Sequence, residues 1–174
     1  MASVTATATI SNDISFTLTQ LGSSAQSETS ALTYSRVLTS PTTGTPTGLQ
    51  INYGALASGT IAGSGKVYFD LQAFPKKALG DTVNITFTNL KSMVVENQAT
   101  EYGRDIQIGA TGANAFTEPF NGGAGNVLIK PYAVYQYSDP ISGATVDSSN
   151  KDFFIEDTFG SGMLYTVIVV GTTG

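Results

Sequence analysis

Short runs of alternating residues, punctuated by Gly, Pro and Asn, predict an all-β protein: an antiparallel β-sandwich of jelly-roll type with an extended N-terminal segment. Three observations carry this. In the clearest run Val83, Ile85 and Phe87 point one way while Thr82, Asn84, Thr86 and Thr88 point the other, the period of a half-buried strand. No segment sustains a 3.6-residue period over helical length, and no exact internal repeat is visible. About ten such runs are separated by turn-forming clusters, the spacing of a sandwich.

From the N-terminus, Ala2 to Thr9 alternates small residues with Thr, and after a turn-like Ser11-Asn12-Asp13 the apolar Ile14, Phe16 and Leu18 alternate with Ser15, Thr17 and Thr19. Two strands or a strand-like arm fit here. Gly22 to Glu28 reads as a loop and Ala31 to Leu38 as a strand. Ser40 to Gly48 carries two prolines, two glycines and four threonines with nothing apolar to bury, and is an exposed loop or linker. Residues 1–48 therefore form an arm with its loop, and 49–174 the sandwich domain, one compact domain overall.

Leu49 to Tyr53 alternates again, Gly54 to Gly65 is small and flexible, and Lys66 to Leu71 is a strand that Pro75 ends. Leu90 with Met93-Val94-Val95 is the strand after Phe87, and Asp105 to Ile108 the next. Gly109 to Gly125 is a Gly-rich loop with Phe116 and Phe120 as its large anchors. Asn126 to Ile129, then Tyr132 to Tyr135, precede a turn at Ser138 to Gly143. Phe153 to Ile155 is a short strand, and Met163 to Val170, apolar on both faces, is a central one. The expected core is Val83, Ile85, Phe87, Val94, Ile106, Ile108, Val127, Ile129, Val167 and Val169.

Charged residues are 12% of the chain, where about a quarter is typical, and Thr, Ser, Gly and Asn fill the polar positions. Such a surface suits packing against copies of itself or a partner. A net charge of −5 with eight scattered Lys and Arg argues against general nucleic-acid binding. The absence of Cys and His removes disulfides, thiolate sites and the commonest general base and metal ligand. The N-terminal stretch has neither the basic nor the apolar region of a secretory signal, and no run is long enough to span a membrane. No membrane partner is expected, and export would follow another route such as lysis.

Candidate chemistry is thin. Gly59 to Lys66 resembles a phosphate loop but has Thr60 where the first glycine belongs and Val67 where magnesium needs Ser or Thr, so it reads as a hairpin loop. Asp147, Asp152, Glu156 and Asp157 could supply oxygen ligands for calcium, yet their spacing matches no EF-hand loop and solvated strand ends explain them. Nothing singles out a glycosidase-like carboxylate pair, and no lysine is read as part of a Ser-x-x-Lys nucleophile pair. The sequon Asn84-Ile85-Thr86 sits inside a strand and is read as chance. No catalytic residue, metal or cofactor is expected. The interaction candidates are Ile14, Phe16 and Leu18 on the arm and Tyr132, Tyr135 and Tyr137, which combine flat apolar area with a hydroxyl.

Five stretches from Val67 to Gly171, namely YFDL, GDTVNITFTNLKSMVVEN, IQIGATGANAF, NVLIKPYA and LYTVIVVG, resemble a pattern found in small structural proteins of tailed bacteriophages. The resemblance covers a little over half the chain and implies an all-β virion protein, a head decoration or another minor structural protein, with no catalytic residue to carry over. The Thr-rich first third departs from it. The expectation is a non-enzymatic capsid decoration or cement protein in the virion, assembled in the host cytoplasm. It would bind itself, as a trimer or higher oligomer, and other virion proteins. Alternatives are a receptor- or carbohydrate-binding sandwich, favoured by the tyrosines, and a major capsid or tail subunit.

Overall fold

The computed structural model describes residues 7–20, 26–39, 53–78, 81–110, 112–120 and 125–173, with side chains described from residue 56 onward except 76–83. Among these the chain is all-β and antiparallel, with one 3-10 turn at Glu118–Phe120. Its strands are β1 (Thr7–Gln20), β2 (Gln26–Thr39), β3 (Tyr53–Ile61), β4 (Lys66–Asp70), β5 (Phe74–Ala78), β6 (Asp81–Ile85), β7 (Phe87–Asn97), β8 (Ile106–Gly109), β9 (Asn126–Ile129), β10 (Val134–Ser138), β11 (Ala144–Thr145), β12 (Asp152–Asp157) and β13 (Met163–Thr173).

Two sheets build the body. The first has the order β10-β7-β13-β3, with β11 also on β7, and the second the order β4-β12-β8-β9. Their inner faces share one core. Phe69 of β4 meets Tyr165 of β13 edge-on at 5.9 Å and stacks on Phe153 of β12 at 4.9 Å. Met93 and Val95 on β7 with Val167 and Val169 on β13 supply one side, and Ile106, Ile108, Ile129 and Ile155 the other. Phe116 and Phe120, the two anchors expected in the Gly-rich loop, are buried at its edge.

Several sequence expectations need correction. Phe87 does not end the Val83 strand: the chain breaks at Thr86, and Phe87 opens β7 with its ring edge-on to Phe74 at 6.3 Å. Val94 is half-buried on the outer face of the first sheet, and Met93 and Val95 take the core positions. Relative to Leu90 the parity is shifted by irregular pairing with β13, where Val170 faces Ser92 but Gly171 faces Leu90, leaving Lys91 as the extra residue of a bulge. Val127 packs against the core half-buried, and the Val83 side chain lies outside the described residues.

Pro75 does not terminate β4, which ends at Asp70 in a turn held by Gln72 N–H to Asp70 Oδ1 at 2.7 Å. Pro75 sits within β5, in a two-stranded ladder where a missing N–H can face outward. Ser11-Asn12-Asp13 is no turn but the middle of β1, and residues 26–28 belong to β2. Residues 49–52 lie outside the described residues, and β3 occupies the small-residue run read as flexible. Its Gly59 stands opposite Tyr165, whose hydroxyl would lie 3.1 Å from any Cβ there, so small residues make room for the ring.

Strand β13 is central in hydrogen bonding, between β3 and β7, but buried on one face only. The turn at Ala62 to Gly65 joins strands of different sheets rather than a hairpin, and closes with Gly65 N–H to Ala62 O at 2.8 Å. A Cβ on Gly63 would stand 2.3 Å from the carbonyl oxygen of Gly160, so this turn packs against the β12–β13 turn through bare backbone.

Candidate interaction surfaces

The outer face of the first sheet is set by its register. Leu56 of β3 is paired with Ile168 of β13, Ile168 with Val94 of β7, and Val94 with Gln136 of β10. An apolar row therefore crosses three adjacent strands. Val170 flanks it along β13, Leu164 lies beyond the polar row Ser58, Thr166 and Glu96, and Val134 is opposite Glu96. Leu56 is 55% exposed, Val134 54%, Leu164 53% and Ile168 38%. An antiparallel sheet normally turns polar residues to water, so these exposed apolar side chains, interspersed with Ser58, Thr60 and Thr166, make the face a candidate interaction surface. Glu96 is the one charged residue on it. Its carboxylate accepts a hydrogen bond from Gln98 at 3.3 Å and makes no ion pair among the described residues.

The second candidate is the β1–β2 ladder, which spans fourteen residues on each strand and pairs with no other described strand. Ile14 is paired with Leu32, Ile10 with Arg36, Phe16 with Ser30 and Leu18 with Glu28. The side chains of both strands lie outside the described residues, those of the predicted Ile14, Phe16 and Leu18 on β1 among them.

The three tyrosines do not form one surface. Tyr132 is exposed at a turn, in the left-handed region with φ 60°. Tyr135 and Tyr137 alternate inward on β10 and pack against the core. The Tyr135 hydroxyl donates to the carbonyl of Pro119, and its ring stacks on Phe120 at 6.0 Å. Burial pushes the Tyr137 phenol up to about 12, with Glu118 and Asp139 adding to the shift. The sequence missed a different aromatic pair, exposed Tyr68 on the outer face of the second sheet beside Phe154, over whose ring Lys66 Nζ sits at 4.4 Å while pairing with Glu156 at 3.0 Å. Only the pairing of β4 with β12 brings these residues together.

The four carboxylates considered for calcium are otherwise engaged. Glu156 pairs with Lys66, Asp152 with Lys151 at 3.1 Å, and Asp147 accepts from the Ser149 backbone and hydroxyl. Asp157 accepts N–H bonds from Phe159, Gly160 and Gly162 at 2.8 to 2.9 Å. Burial alone would raise its pKa, but these backbone donors outweigh that and hold it below the usual value. Among the described residues no three acidic side chains converge on a cation position. Ser148 and Lys151 do have Ser-x-x-Lys spacing, which the sequence reading passed over. Hydrogen bonds to Asp70, at 2.5 Å, and Asp152 raise the Lys151 pKa and favour its charged form.

One buried cation serves the fold. Lys91, at the bulge, is 4% exposed and donates to the carbonyls of Ile141 at 2.5 Å and Ser142 at 3.1 Å, fixing the β10–β11 turn. Burial lowers its pKa, and Asp139 partly offsets that. No helix among the described residues is long and apolar enough to cross a membrane.

No family model matches the chain, and no curated protein matches it. Among solved structures it is similar to the Yersinia pseudotuberculosis-derived mitogen, with 15% identity and a TM-score of 0.36 over 70% of this chain and 87% of that one. At that level the overlap says nothing of shared function.

Proposed function

We propose that this chain is a non-enzymatic structural subunit of a virion, a capsid decoration or other minor structural protein, that assembles with copies of itself. The observation that carries the reading is the fourteen-residue β1–β2 ladder, which pairs with no other described strand, on a body whose outer sheet face exposes Leu56, Val134, Leu164 and Ile168. An isolated two-stranded ribbon is marginal in water, so a partner surface would stabilise it. We read the eight body strands as a jelly roll: strands consecutive in the pairs β3/β4, β7/β8, β9/β10 and β12/β13 lie in opposite sheets, an arrangement common in capsid and lectin domains. The bacteriophage-like stretches lie on this body. The absence of His and Cys, and carboxylates committed to turns and ion pairs, support a role without catalysis.

Light scattering on the intact chain and on a form lacking residues 2–39 tests the reading. The intact chain is expected to form oligomers or to bind purified particles, and the shortened form to stay folded and single. An intact chain that associates with neither itself nor particles defeats it.

A carbohydrate- or receptor-binding role is the second reading. It is favoured by Tyr68, an exposed ring flanked by the Lys66–Glu156 pair, which suits a sugar's apolar face and hydroxyls together. Glycan-array binding that Tyr68→Ala abolishes would establish it.

A further inference from the structure

We propose that Tyr102, Lys130 and Tyr132, on two loops at one end of the body, form a binding site for a neutral saccharide chain. The site is separate from Tyr68, which lies on β4 at the opposite edge of the second sheet from β9, and it does not depend on self-assembly.

The backbone at Tyr132 carries the argument. Ala133 N–H donates to Lys130 O at 3.0 Å and closes a turn with Pro131 second and Tyr132 third. Tyr132 has φ 60°, a conformation that such a turn normally gives to Gly, because a residue with a Cβ is strained there. Packing would be the usual compensation, yet the side chain is 71% exposed and makes no hydrogen bond or ring contact among the described residues. The ring strains the fold without packing into it, so its use lies outside the chain.

A second ring stands nearby. The Asn97 carbonyl accepts the Tyr132 N–H at 3.1 Å while its side chain donates to Arg104 O at 2.8 Å, which holds the 130–133 turn beside the 98–105 loop. Lys130 pairs with Asp105 of that loop at 2.6 Å, and the fully exposed Tyr102 is an electrostatic neighbour of Lys130. Two tyrosines thus flank one cation.

The chemistry of the two loops selects the ligand. Their charges are matched, Lys130 with Asp105 and Arg104 with Glu101 at 2.7 Å, which leaves no net charge for an ionic partner. No ring contact joins Tyr102 to Tyr132, so they present separate flat plates where a folded partner would need a continuous apolar patch. A sugar fits such plates. The C–H face of each ring stacks on a tyrosine, and its hydroxyls both accept from the ammonium and phenol groups and donate to the carboxylates.

The test uses the full chain on an array of neutral and acidic oligosaccharides, then calorimetry with the best neutral ligand and thermal unfolding. Tyr102→Ala and Tyr132→Gly should each weaken neutral-saccharide binding about tenfold, and Tyr68→Ala should leave it unchanged. Tyr132→Gly should unfold at the same temperature or higher, because losing the Cβ relieves the strain. A lower temperature would show that the ring supports the fold, and would overturn the proposal. Binding lost in Tyr68→Ala and kept in Tyr132→Gly overturns this site while establishing the Tyr68 one. An array with no neutral ligand also overturns it, and so does a Tyr132→Gly chain impaired only in self-association, which would make the turn a protein contact.

Discussion

Asn97, the last residue of β7, donates from Nδ2 to the carbonyl oxygen of Ile129, the last residue of β9, at 2.9 Å, and so ties the ends of the two facing sheets together. The same amide donates to Arg104 O at 2.8 Å, and its Oδ1 accepts from Ala99 N–H at 3.0 Å. Asn97 is fully buried, so every bond is made away from water.

Replacing Asn97 by Ala leaves two carbonyls and one N–H without partners, each worth about 1 to 3 kcal/mol when buried, so a loss of about 3 kcal/mol is expected in urea unfolding. Asn97→Asp should be worse than Ala near neutral pH, because it turns a carboxylate toward two carbonyl oxygens. Equal stability of the two variants would show that the amide does not bridge the sheets.

Phe87→Ala should cost about 3 to 5 kcal/mol, since its ring is fully buried against Phe74. Val94→Ala, on the half-buried outer face, should cost less than about 1 kcal/mol in the single chain. A reversed order would mean that β7 turns its other face to the core.

Tyrosine ionisation reports the inward placement of β10. Burial raises Tyr135 and Tyr165 above the usual phenol value, and Tyr137 to about 12. A folded-state pKa above the unfolded one means that this stabilisation is complete below pH 10 and is lost as pH rises toward 12. A titration at 295 nm should show a late group of phenols, with the last step missing in Tyr137→Phe. Uniform ionisation near pH 10 in the folded protein would place these rings at the surface.

The Asp157 carboxylate has the opposite sign. Its folded pKa lies below the ordinary 3.8, so its contribution is complete well above that value and is lost as pH falls through the folded pKa. Asp157→Ala should cost about 3 kcal/mol at pH 7 by leaving the turn's N–H groups unpaired, and the gap to wild type should narrow by pH 2 to 3. A gap independent of pH would show that the negative charge contributes nothing to holding this turn.

Alternation is a local property of the chain, and with it the sequence by itself determined the all-β class, most of the strands, the turn at Ser138 to Gly143 and the shared parity of Ile14, Phe16 and Leu18. Parity names two faces without saying which one is covered. On β7 the inward residues are Phe87, Leu90, Met93 and Val95, spaced by three, three and two, because pairing with β13 skips Thr88 and Lys91. The two shifts cancel between Phe87 and Met93, so only alternation counted from Leu90 puts Val94 in the core. The strand at Tyr53–Ile61 was illegible because its small residues make sense only beneath Tyr165, more than a hundred positions away. The tyrosines of β10 and the apolar row from Leu56 to Val94 were likewise decided by tertiary structure. Which sheet face meets its partner, and which neighbours complete a row, depend on long-range strand pairing that no local period encodes.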